Sequence, residues 1–526
     1  MDNLLRIWIF VPVYNFKAYI AQCLESIVLQ THTNYRVVLI NDGSTDGSLQ
    51  IVSEFASRLP LHIIRLPKNM GGGFTKWTAV QYVRVHGSHN DIFTIMDGDD
   101  AYSTPTALTT IAHTFLEKRC WLTSGSAIGE YCFPLTELKV GRGIAKFQFQ
   151  HPRAVLVGLL HYLNEEDFKD KSDKWLLRYT ECLMMYKLSE LAGQSRISPI
   201  SDVIYMYRSH PGNARKRFKD ETTRQNGLVY AKTMKPYTPI CEDIHIIMCV
   251  YKRWRNLPDI VKSVDKQTIA SRIIFHIINT NPERWIDVQK AIPQPLFCKL
   301  QIYNAGENLY GFARFLLTKK LMRETILPYV IYMDDDQVLP PSWVADMYAK
   351  GSPLTMASWF GRVFIREDTI EALDYWKSAV TYTDLVLGKK CHIDSFDYAG
   401  TCGCIIDTNI FLEDMVFKCP IEYRCVEDLW LSFVIRNIWK KALPRTYIVP
   451  TLNHFADSEA TALYSTIKSL KTKLLKLCAS QGYLDHEPVG EIKLGPDNSE
   501  EVIARCLSSP IKAGMRTKPI VIRSDM

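Results

Sequence analysis

Short unbroken apolar runs alternate with segments of helical spacing from the start of the chain. IWIFVPVY (7–14) reads as a buried strand, and Ala18–Leu29 places its apolar residues at helical intervals. YRVVLI (35–40) predicts a second buried strand ending in Asn41-Asp42-Gly43. LHIIRL (61–66) predicts a third strand, Gly73–Val85 a helix, and DIFTIM (91–96) a fourth strand running into Asp97. Strands alternating with helices predict a mostly parallel sheet, whose ligands bind beyond the carboxyl ends of the strands. Asn15, Asp42 and Asp97 all stand at such ends.

The same plan recurs after a shift of 237 residues, which brings Tyr14 onto Tyr251, Ser26 onto Ser263, Gln30 onto Gln267 and Thr31 onto Thr268. Without a gap it also brings Met96-Asp97-Gly98-Asp99 onto Met333-Asp334-Asp335-Asp336. Two copies of one α/β domain are the economical explanation. HIIMCVY, RIIFHII and YVIYM predict strands of the second copy, with Asn279 and Asp334 at the ends of the latter two. Lys235-Pro236-Tyr237-Thr238-Pro239 breaks the pattern between the copies. The expected domains are therefore 1–236 and 240–485, with 486–526 a peripheral tail.

Composition narrows the class. With 526 residues, 47% hydrophobic and 23% charged, the chain suits two ordinary globular domains. A net charge of +7 is mild and lacks the dense basic signature of a nucleic-acid binder. Fourteen cysteines without paired zinc spacing suggest buried thiols in a reducing compartment. The opening MDNLLRIWIF has no basic n-region, and apolar runs such as Ala154–Leu160 are far shorter than the roughly 20 residues of a membrane span. A cytoplasmic address is expected.

Two carboxylates spaced Asp-x-Asp at a strand tip repel one another unless a cation joins them. Mg²⁺ or Mn²⁺ takes one or two protein carboxylates together with substrate phosphates, so a nucleoside diphosphate is the natural companion ligand. The plainer explanation of such a motif is an acidic loop, and its occurrence twice in register weighs against that. Asn41-Asp42-Gly43-Ser44-Thr45-Asp46-Gly47 is a turn whose Asp42 is placed to meet a base or ribose. Asn69-Met70-Gly71-Gly72-Gly73 is a glycine-rich loop before a helix, without the Gly-Lys-Ser/Thr end of a P-loop.

Together VPVYN (Pro12, Tyr14 and Asn15 among them), Ser26…Gln30-Thr31, NDGSTDGS, Asn69-x-Gly-Gly and Met96-Asp97-Gly98-Asp99-Asp100 resemble family-2 glycosyltransferases of the GT-A fold, over roughly residues 7–215. The resemblance implies nucleotide contacts at Pro12, Tyr14, Asn15, Asp42 and Asn69, with Asp99 on the metal and diphosphate and Asp97 in support. It implies inversion by direct displacement, with a carboxylate as general base. Glu181 is the candidate base in DKWLLRYTECLMMYKLSELAG, read as a helix, although Cys182 follows where the family has Asp. His210 is a candidate metal ligand, and Arg215-Lys216-Arg217-Phe218-Lys219 suits a diphosphate clamp or a solvated basic face.

In the second copy Tyr251, Asn279, Asn308 and Asp334 take the nucleotide-sugar positions, with Asn281 a neighbouring candidate. Asp336 and His454 are the metal candidates, and Glu427-Asp428 matches the base motif, Asp428 better than Glu427. The helix 458–479 carries Leu463, Ile467, Leu470, Leu474 and Leu477 among four lysines, fitting either an anionic membrane surface or the core of the second domain. The expectation is a bifunctional, metal-dependent, non-processive glycosyltransferase built from two Rossmann-like GT-A domains in tandem. It would move sugars from nucleotide-diphosphate donors, UDP sugars first, to a glycan or glycoconjugate acceptor. The alternatives are one active module beside a non-catalytic copy, or a nucleotide-sugar-binding scaffold.

Overall fold

Ile7–Val13 is buried at every position except the half-buried Pro12, as an unbroken apolar run in a central parallel strand should be. It lies between Tyr35–Asn41 and Ile92–Ile95, parallel to both, and Leu61–Arg65 extends the sheet beyond Tyr35–Asn41. Phe10 O accepts from Met96 N–H, so Pro12, two residues on, turns its missing donor to the same side, past the end of that ladder. The sheet continues from Ile92–Ile95 through the antiparallel strand Arg153–Leu156 to Leu122–Ile128, Ile197–Met206 and Ala101–Tyr102. Chain order therefore reverses direction at Ile7–Val13, and the crevice beyond its carboxyl end is the topological switch point.

This computed structural model describes residues 4–130, 132, 134–140, 149–170, 172–177, 180–211, 235–294, 296–364, 366–381, 395–444, 453–454, 467–485, 494, 496–507 and 511–513. The chain divides into two compact units, Met1–Cys241 with Met322–Ile326, and Glu242–Leu321 with Leu327–Met526. The basic run 215–219 lies outside the described residues.

In the second unit Ile244–Val250 is flanked in parallel by Ile273–Asn279 and Tyr329–Met333, with Lys299–Asn304 beyond Ile273–Asn279. Cys404–Asp407 then runs antiparallel to Tyr329–Met333, as Arg153–Leu156 does to Ile92–Ile95 in the first unit. Both units thus place their first four sheet strands in the order three, two, one, four. Ile246, Met248, Phe275, Ile277, Ile331 and Met333 meet Leu257, Ile260, Val261 and Val264 of the helix Leu257–Asp265 in one apolar core. The carboxyl-terminal stretch contributes the helix Ser499–Cys506 and an edge strand, Ile511–Ala513, antiparallel to Lys299–Asn304.

One local expectation is corrected. The helix read from Asp173 onward begins at Thr180, because Trp175 bridges back to Lys169 and Leu176 exchanges backbone hydrogen bonds with Phe168 and Gly73. Of the two placements open to the helix 458–479, its described part Lys468–Ala479 takes the core, with Leu474, Leu475, Cys478 and Ala479 fully buried. No helix among the described residues is long and apolar enough to cross a membrane.

The glycine-rich loop owes its composition to packing. Gly73 N–H donates to Leu176 O at 2.7 Å, and a Cβ on Gly73 would lie 2.5 Å from Phe168 O and 2.8 Å from Leu176 O. Gly73→Ala is expected to cost about 1–3 kcal/mol by overpacking. Chemical denaturation of the full chain measures it; an unchanged first-unit transition would show that this backbone contact is dispensable.

Candidate active site

The acid motif of the first unit is fixed by strand geometry. Ile92–Ile95 delivers Asp97 just past the end of the sheet, and a Cβ on Gly98 would come 2.7 Å from Pro12 O, so the middle of Asp-x-Asp must lack a side chain. Asp99 is buried, and its Oδ2 lies 2.9 Å from His210 Nε2. The His210 ring is held in turn by Tyr19, centroids 4.2 Å apart, and by the edge of Phe16. Burial, then the charge of Asp97, pushes the Asp99 carboxyl up to about 6, with His210 pulling the other way. Burial and both neighbouring acids push Asp100 up to about 8, although Tyr205 Oη donates to its Oδ2 and Arg208 N–H to its Oδ1, each at 2.8 Å.

His151 and Arg153 join the site from a strand that sequence reading left unassigned. Arg153 pairs with Ile95 in the antiparallel ladder, and continuing that register by two residues sets His151 opposite Asp97. Its Nε2 is 3.3 Å from Asp97 Oδ2 and 2.7 Å from Arg153 Nη1, while its buried Nδ1 has no partner. Burial, reinforced by Arg153, lowers His151 to about 4 and keeps it neutral near pH 7. Lys76, on the inner face of the helix Gly71–His86, reaches Glu181 Oε1 at 2.7 Å. Burial alone would raise the Glu181 carboxyl; Lys76 and Arg153 overcome it and bring the group down to about 2. The following Cys182 thiol is pushed up to about 12, first by burial and then by Glu181.

The other candidates of the first unit gather at the same strand ends. Asn15 has a left-handed backbone (φ 56°); its N–H donates to Ser44 Oγ at 3.0 Å and its Oδ1 accepts from Thr45 N–H at 2.8 Å. Asp42 is buried, and its two oxygens accept from Met70 and Gly71 N–H at 2.7 and 3.0 Å, anchoring the glycine-rich loop. Asn69 is exposed, and Pro12 and Tyr14 are half-buried. Pro12, Asn15, Asp42 and the acids thus converge on one crevice, with His151, Arg153 and Lys76 behind them.

The second unit repeats the placement with different partners. Arg314, on the helix Ala313–Glu324, donates to Asp334 Oδ1 at 2.8 Å and to Glu427 Oε1 at 2.9 Å. Arg253 donates to Asp335 Oδ1 at 2.9 Å, with Asp336 Oδ2 at 3.1 Å. Burial pushes Asp335 up to about 6 and Glu427 up to about 7, with the arginines opposing in each case. Asp428 accepts from Tyr398 Oη and from Lys471 Nζ, the latter at 3.3 Å. His454 lies in a two-residue strand paired with Gln337, one residue past the triplet. Asn279 is fully buried: its amide donates to Asn281 O and Asn304 Oδ1, tying strand ends together. Tyr251, Asn281 and Asn308 instead line a cleft of about 670 Å³.

The donor sets of the two units differ in their fit to a divalent cation. In the first, Asp97, Asp99 and His210 offer two carboxylates and an imidazole, with Asp99 Oδ2 and His210 Nε2 2.9 Å apart. Among the described residues no group of three or more His, Cys, Asp or Glu side chains holds a metal by itself. One or two protein ligands completed by phosphate oxygens is the arrangement hard cations accept. The first set fits such an ion. In the second unit guanidinium groups already hold the acids, and the set does not fit.

Residues 8–129 match the family model "Glycosyl transferase family 2". Over 95 residues the chain is 35% identical to glycosyltransferase GlyA of Streptococcus pneumoniae serotype 4, a match spanning 18% of this chain and 13% of GlyA. Over 222 residues it is 25% identical to GlyG of the same organism, spanning 39% of this chain and 71% of GlyG. The crystal structure of S. aureus TarS 1–349 in complex with UDP-GlcNAc shares 21% identity at a TM-score of 0.30, over 40% of this chain and 60% of that one. With the acid motif and strand order already placed, the family match marks residues 8–129 as a family-2 glycosyltransferase domain.

Proposed function

We propose that this protein transfers a sugar from a nucleoside-diphosphate donor, a UDP sugar in the first instance, to a glycan acceptor, with the first unit as a metal-assisted transferase. The observation that carries the reading is the convergence of Asn15, Asp42, Asp97, Asp99 and His210 at the switch point of a parallel sheet. Asp99 and His210 would hold Mn²⁺ or Mg²⁺, with Asp97 beside them. A cation bound there neutralises charge on the diphosphate leaving group. Asp42 keeps the loop Asn69–Gly73 at the crevice wall, and Asn15 bridges the first two strand ends.

Glu181 is the carboxylate at the start of the late helix, ionised throughout the working pH range. Its ion pair with Lys76 makes it a weak proton acceptor, so a base role requires Lys76 to turn away, for instance toward a diphosphate. The tandem plan extends the proposal to a bifunctional, inverting, non-processive enzyme with Asp428 as the second base. A narrower reading, in which the second unit binds without transferring, is favoured by the engagement of Asp428 with Tyr398 and Lys471.

The test follows nucleoside-diphosphate release from a panel of nucleotide sugars with Mn²⁺, in the intact chain, Asp97→Ala/Asp99→Ala and Asp334→Ala/Asp336→Ala. Loss of different donors in the two variants establishes two transferases. Loss in the first variant alone establishes the narrower reading, and no turnover in the parent with any donor or acceptor overturns the proposal.

A further inference from the structure

We infer that the second unit takes a nucleoside diphosphate without a divalent cation, its arginine and lysine side chains supplying the positive charge. The inference rests on reading this unit as a nucleotide-binding copy of the first, and it holds whether or not the unit transfers sugar.

The acid triplet is the first observation. Asp334 is joined to Arg314, and Asp335 and Asp336 to Arg253, at 2.8 to 3.1 Å. Guanidinium groups stay protonated at any working pH, so this compensation is permanent. Arg314 is itself buried and also holds Glu427, so its displacement by an ion would strand a second carboxylate. Among the described residues the first unit sets His151 beside Asp97 and His210 beside Asp99, and Lys76, on the corresponding helix, pairs with Glu181.

The second observation is the cleft. It lies at the carboxyl ends of Ile244–Val250 and Ile273–Asn279, and its volume of about 670 Å³ suits a nucleotide. Tyr251, 40% exposed, and Trp254 each carry a cation over one ring face, Lys252 at 5.6 Å and Arg255 at 5.2 Å, so a base would stack on the opposite face. Lys252, Arg255 and Arg284 bring three cations to a wall that holds one acid, Glu283; Arg284 also pairs with Asp287 at 3.1 Å, and Asn281 adds an amide. Along one short loop, Arg253 turns to the acids while Tyr251, Lys252, Trp254 and Arg255 turn to the cleft. Charge compensation and anion binding are thereby divided between neighbouring residues, and neither task needs a metal.

The experiment uses the full chain carrying Asp97→Asn/Asp99→Asn, which removes the cation site of the first unit, with UDP as the calorimetric probe. UDP is expected to bind in EDTA, and Mn²⁺ should change its Kd less than about twofold. Adding Lys252→Gln, Arg255→Gln and Arg284→Gln, all at the cleft wall, should weaken binding on the order of tenfold or more. Absence of UDP binding overturns the inference. So does a Mn²⁺-dependent gain of about tenfold or more that Asp334→Asn/Asp336→Asn abolishes. The parent chain, titrated in parallel, reports the first unit separately: a Mn²⁺ effect lost with Asp97→Asn/Asp99→Asn upholds the metal-assisted reading whatever the second unit does.

Discussion

Replacing Asp99 by Asn in the full chain is expected to slow Mn²⁺-dependent release of UDP from its donor by on the order of 10²- to 10³-fold. Loss of a metal ligand forfeits several kcal/mol of charge stabilisation on the leaving group, and each 1.36 kcal/mol is about tenfold in rate. The same substitution is expected to raise the melting temperature in EDTA. Asp99 and Asp100 have folded-state values of about 6 and about 8, above the usual carboxylate range of about 3.9. Carboxyls raised by folding bind more protons folded than unfolded, so the metal-free parent loses stability as pH rises from about 4 through 8. Asn at 99 removes one of three crowded charges and flattens that slope. Opposite signs for activity and stability would mark a site strained for function. A variant that keeps its turnover, or that melts lower in EDTA, would instead assign Asp99 a structural role with His210.

The strands and the acids at their ends were legible because a parallel strand buried on both faces shows an unbroken apolar run. Its carboxyl end is the first place a charged residue is tolerated. Asp97 and Asp334 follow from that rule alone. His151 and Arg153 did not, since their relevance depends on the antiparallel register of Arg153–Leu156 against Ile92–Ile95, a long-range pairing with no local signal. Lys76 and Arg314 lie within ordinary helical patterns and look like solvated cations until the helix is packed on the sheet. Asn279 shows the converse: the repeat points to the end of Ile273–Asn279, where its amide donates to Asn281 and Asn304 while Asn281 lines the cleft. Lys471, one of the four lysines of the helix 458–479, is buried and donates to Asp428. Side-chain partnership across elements, more than element type, was the missing information.

Arg314→Leu is expected to destabilise the second unit by about 3–5 kcal/mol, the cost of leaving a buried carboxylate without its partner. Arg314 and Glu427 are each only 6% exposed at the side chain, whereas Glu181 beside Lys76 keeps 22%, so Lys76→Leu should cost less. Replacing both partners, Arg314→Leu with Glu427→Leu, should recover much of the loss, because the buried carboxylate goes with its partner and only Asp334, 39% exposed, is left without its guanidinium. The pH dependence carries a sign that distinguishes the two pairs. Glu427 sits at about 7 when folded, above its unfolded value, so its protonated form favours the fold and stability declines as pH rises through 7. Without Arg314 that rise in its value grows, and the deficit of Arg314→Leu should narrow as pH falls from about 8 to about 5.5. Glu181, held at about 2 in the parent, contributes stability present above its unfolded value and lost as pH drops toward 2; with Arg153 still beside it in Lys76→Leu, that variant should show the smaller pH dependence over the same interval. Urea unfolding of the full chain measures both, with the transition of the unaltered unit as the internal reference. Equal losses with no pH dependence would place the two cations as packing groups, and the charge compensation on which the second unit's cation-free site depends would have to come from Arg253 alone.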